Sequence, residues 1–168
     1  MVLINHRHVI LVFTLALSST RLAMASHYDL DSIDLVDEAM VTKMAEMGIE
    51  TTSQLLEQSA KSPKRLAKKL SVSVKTVREW RAFCSLLGVN GIGPKVAKVL
   101  TAGGIKNIEM LAKQDPDNLS LLIQKTNEKV EILGKVPEVE TVAIWINSAK
   151  ELTTKKGLTT KGKKKKGK

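Results

Sequence analysis

The chain has 168 residues, a formal net charge of +10, one cysteine and few aromatic residues. A lone cysteine, Cys84, excludes an internal disulfide, so the folded part stands on packing alone. The apolar set is mostly leucine, valine, isoleucine, alanine and methionine, a composition that favours helices.

The first 25 residues have the layout of a secretory signal. Arg7 precedes an apolar run from Val9 to Leu17, and Ala23-Met24-Ala25 places small residues around a cleavage point. The run is too short for a confident membrane span, and no second one follows it. On this reading the mature protein is exported, either periplasmic or secreted. A start at Met24 is the alternative, since "MASHYDL" is an ordinary cytoplasmic N-terminus.

The opposite end also stands apart. "TTKKGLTTKGKKKKGK", residues 153–168, holds eight lysines, no acid and one leucine, so it can bury almost nothing. We expect a disordered basic tail there, with Lys163, Lys164, Lys165 and Lys166 as its densest part. Residues 27–152 between them suit one domain with its own core. Two positive charges lie in the leader and eight in the tail, which leaves this domain near neutral. Its charges are sorted along the chain. Residues 26–60 carry eight acids and one lysine, whereas residues 61–98 carry ten bases and one acid, Glu79.

An internal repeat organises the domain. "VKTVREW" at Val74–Trp80 returns as "VETVAIW" at Val139–Trp145, and Cys84 and Leu87 then fall on Ala149 and Leu152. Steps of three and four residues mark both as amphipathic helices with tryptophan core anchors. Upstream, "SPKRLAKKL" from Ser62 resembles "DPDNLSLLI" from Asp115: a capping side chain, a proline in the first turn, then leucines at helical spacing. Earlier still, Ile33, Val36, Val41, Met44, Gly48, Ile49 and Leu55 fall on Val89, Ile92, Ala97, Leu100, Gly104, Ile105 and Leu111. Gly48 and Gly104 end helices, because glycine takes the left-handed cap at little cost. No stretch alternates with a strand's period. The fold class is all-α, in two unequal repeats over residues 31–87 and 88–152.

"LLGVNGIGPKVAKVL" carries a resemblance. Val89, Gly91-Ile92-Gly93, Ala97 and Leu100 are similar to the helix-hairpin-helix motif, and the tandem arrangement, over residues 31–152, resembles a bacterial family of double helix-hairpin-helix domains of unknown function. The resemblance implies binding of DNA through its backbone without sequence preference. The chemistry agrees with it. Gly91 and Gly93 let a phosphate approach backbone N–H groups, and Pro94 opens a helix whose first amides favour an anion. Lys95 and Lys98 add charge, and Ile92 is the buried pin. The same glycines also serve a turn that only packs. Where the second repeat has Gly91-Ile92-Gly93-Pro94, the first has Leu35-Val36-Asp37-Glu38. Two carboxylates there repel phosphate, so that copy is structural.

Other motifs are weaker. "LAKKLSVSVKTVREWRAF" has helix-turn-helix spacing that would present Lys75, Arg78 and Arg81 to bases, but the repeat already explains its apolar positions. Its cations, with Lys64, Arg65, Lys68 and Lys69, read better as a supporting basic patch. "DLDSIDLVDE" fails as a calcium loop, because Ile33 replaces a ligand and the glycine is missing. There is no Cys/His set for a metal and no lysine placed after the glycines as in a nucleotide-binding loop, so no metal, cofactor or catalysis is expected. The partner is duplex nucleic acid. The alternative is an interaction module whose acidic first repeat docks a basic protein, or whose tail holds an anionic envelope polymer.

Overall fold

Short polar side chains begin most of the helices. Thr51, with Gln54, makes a reciprocal capping box, and Asp37, Ser73, Asn107 and Asp115 each accept a hydrogen bond from an amide in the first turn that follows. The computed structural model describes residues 28–164, with side chains as far as Lys155. Helices α1 (Glu38–Ala45), α2 (Thr52–Lys61), α3 (Pro63–Leu70) and α4 (Val74–Leu87) form the first half. Helices α5 (Pro94–Ala102), α6 (Ile108–Leu111), α7 (Pro116–Val130) and α8 (Val139–Lys164) form the second. Among the described residues there is no strand, only one isolated bridge between Asp29 and Thr51. The domain is all-α.

The packing follows the same plan in each half. α2 and α3 pack on α4 as α6 and α7 pack on α8, and α1 meets α3 as α5 meets α7. The halves join where α4 packs on α5 and α6. Gly48 and Gly104 have φ of +69° and +92°, the left-handed conformation the sequence assigns to them. Trp80 and Trp145 lie in one continuous core, and Cys84 and Ala149 are both buried in it. Burial pushes the Cys84 thiol up to about 12, so it behaves as a packed side chain, not a reactive one.

Two details differ from the sequence expectation. The Ser62 side chain makes no cap bond; its backbone, at φ −150° and ψ 68°, turns directly from α2 into the proline-led α3. α6 is a single turn where α2 is longer, because the chain reaches Asp115-Pro116 sooner, and α7 is longer than α3 to compensate. The backbone of α8 runs from Val139 to Lys164. The leader at residues 1–25 lies outside the described residues, as do the side chains of Lys163 to Lys166.

Candidate nucleic-acid interface

The turn from α4 to α5 is made by Gly88 to Gly93. Gly88 caps α4, and the Val89 amide then donates to the Leu86 carbonyl at 3.0 Å. The Ile92 amide donates to the Val89 carbonyl at 3.1 Å, which closes a tight turn and drives the Ile92 side chain into the core. Gly93 then stands as N-cap of α5 with extended backbone and no side-chain cap bond, and Pro94 follows at the first helical position. The first amides of a helix have no partner within it. At α5 nothing from the N-cap residue supplies one.

The structure gives Gly91 a packing role. Its φ is +85°, and a Cβ there would lie 2.7 Å from Nε1 of Trp145. The indole of the last helix therefore forms a wall of the turn. Packing is sufficient to require glycine at 91. Gly93 differs: a Cβ there would meet only the Tyr28 hydroxyl, at an ordinary 3.6 Å. Tyr28 was not legible as a site residue. It precedes the repeat and reaches the turn because the Tyr28 amide and carbonyl bind Thr52, at 3.1 and 2.9 Å.

The lysines divide. Lys95, in the first turn of α5, is exposed and makes no ion pair among the described residues. Lys98 donates to Asp34 Oδ2 at 2.7 Å across the two halves, with its side chain only 30% exposed. This partner holds the Asp34 carboxyl below the usual range, by hydrogen bond first and by charge second. Lys98 thus comes to any phosphate already engaged.

The equivalent place in the first half is filled from within. The Asp37 carboxylate accepts from the Met40 amide at 2.8 Å and caps α1. Val36 there is half-buried, where Ile92 is fully buried.

The supporting basic residues are all exposed. Lys64, Arg65, Lys68 and Lys69 are on α3, which packs on α1, α2 and α4. α5 packs on α4 and α7 instead. Arg65 and Lys69, with Lys61, surround a separate hollow of about 290 Å³ beside Met47 and Ile49. Lys75 and Arg78 lie on α4, between the two regions. Among the described residues no cluster of His, Cys, Asp and Glu could hold a metal ion, and no helix is long and apolar enough to cross a membrane.

The family model for the domain of unknown function DUF4332 matches residues 35–152. The chain belongs to the DUF4332 family. The match begins in the α1 turn and ends in α8, so both halves and the turn at Gly91 lie within the DUF4332 domain. No curated protein and no solved structure matches the chain.

Proposed function

We propose that this chain is a non-enzymatic, sequence-independent DNA-binding protein built from two unequal helix-hairpin-helix repeats. The second repeat takes a backbone phosphate at the N-terminus of α5. One observation carries the reading: α1 begins under the carboxylate of Asp37, while α5 begins at Gly93 with no side-chain acceptor and with Lys95 exposed beside it. Where the first repeat supplies its own anion, the second leaves that position to one from outside. The Tyr28 hydroxyl, near Gly93, is a further donor for it. Gly91 and Ile92 hold the turn from behind, Lys75 and Arg78 extend the positive field along α4, and the tail lysines add non-specific attraction.

The test is a Gly93→Asp variant of the full chain against a fluorescent duplex in low salt. The new carboxylate occupies the cap position that the proposal gives to phosphate, so affinity should fall by about tenfold or more. Asp37→Ala should leave affinity equal or slightly higher. Two unrelated duplexes should bind alike, with affinity falling steeply as salt rises. Loss of all binding when the tail lysines become glutamine, with Gly93→Asp unchanged, would overturn the assignment to the turn.

A further inference from the structure

We infer that the junction of the two halves carries a second binding surface, a trough for an acidic peptide segment of a partner protein with a bulky apolar side chain. A groove of about 490 Å³ runs between α4, the α1 turn and the start of α6. Its floor is apolar, made by Leu35, Trp80 and Phe83. Three cations stand around it: Lys75 and Arg78, one turn apart on α4, and Lys106 on the opposite side. Glu79 is the one acid in its lining, and it lies 4.0 Å from Lys75.

This surface is separate from the α5 N-terminus, because it meets α5 only at Thr101, near the helix's other end. It also continues. A neighbouring hollow of about 260 Å³ shares Arg78, Ala82 and Asn107 with it and adds Leu56, Arg81, Ser85 and one acid, Glu109, so cations still outnumber acids along the two hollows. Two joined hollows suit an extended chain better than a compact small molecule. The cations select carboxylates, and the apolar floor between them selects one buried side chain as the anchor.

The floor decides between an acidic peptide and a single nucleic-acid strand, the other extended polyanion. Bases are held on open aromatic faces. Trp80 and Phe83 are 8% and 6% exposed, so neither offers a ring face for stacking; an aliphatic or aromatic side chain laid across their edges needs none. The surface does not depend on the DNA reading, and the two can fail separately.

The probe is a library of fluorescent peptides of about ten residues, each with several glutamates and one leucine, isoleucine, phenylalanine or tryptophan. Binding to the full chain is read by anisotropy, and the site by amide chemical shifts. We expect shifts at Arg78, Ala82 and Asn107, and a loss of about tenfold in affinity in both Arg78→Glu and Lys106→Glu. Lys64→Glu, on α3, should change it by less than about twofold. Replacing the apolar residue of the peptide by alanine should abolish binding. The inference is overturned if no peptide of the library binds, or if the alanine peptide binds equally. It is equally overturned if Lys64→Glu weakens binding as much as Arg78→Glu. A single-stranded oligonucleotide that displaces the peptides and shifts the same amides more strongly would replace the peptide by nucleic acid.

Discussion

The turns that precede α1 and α5 occupy equivalent places in the two halves and solve the same problem with opposite chemistry. Each must change the chain's direction, pin a residue in the core and launch a helix. The first does so with its own polar groups, where Asp37 caps α1 and Val36 is a loose, half-buried pin. The second uses Gly91 in a left-handed conformation, Ile92 at 1% exposure and a helix start with no side-chain cap. A turn that caps itself needs nothing further. A turn pinned more tightly and left uncapped leaves the first amides of its helix without a side-chain acceptor.

Breaking the anchors tests whether the halves are energetically alike. Trp80→Ala and Trp145→Ala should each cost about 3–5 kcal/mol, measured by urea unfolding, because each removes a large buried ring. A much smaller loss at one site would show that the halves do not share a plan. Gly91→Ala comes next, at about 1–3 kcal/mol, since its Cβ meets Trp145 and its φ disfavours any side chain. Gly48→Ala has the φ penalty alone, with open space around it, and should cost about 1 kcal/mol.

Exchanging the caps sharpens the contrast further. Asp37→Ala should lose about 1 kcal/mol, while Gly93→Asp should gain a few tenths to about 1 kcal/mol as it gives α5 the cap it lacks. Stability and duplex affinity would then move in opposite directions in one variant. Smaller still, Asp34→Asn should release Lys98 and raise duplex affinity by about twofold. Because Lys98 depresses the Asp34 pKa, this pair contributes above the ordinary carboxylate range and is lost as pH falls through the depressed value. A carboxyl NMR titration of Asp34 with its midpoint at or above 3.8 would remove the pair from the account.

Local pattern made much of this legible. The apolar spacing placed the helices and both tryptophans, and glycine chemistry placed the turns at 48 and 104. Contacts between distant residues were not legible, because nothing local encodes them. The sequence left Gly91 open between a phosphate-approach glycine and a turn glycine, and could show neither the Trp145 wall beside it nor the Asp34 partner that meets Lys98 from the other half. Tyr28 lies before the repeat begins and enters the turn only through its bonds to Thr52. Ser62 has a capping residue's chemistry, but its backbone conformation takes it out of that role.

The contact between Gly91 and Trp145 sets an order of events during synthesis. A chain that has left the ribosome only as far as α7 already contains every residue of the α5 turn, yet it lacks the indole that forms one of its walls. Helices assemble quickly from local contacts, while contacts between residues far apart in the chain wait on the entropy of closing the loop between them. The hydrogen bond from Ile92 to Val89 is local and needs nothing from α8, but the indole wall beside Gly91 is in place only once α8 has packed.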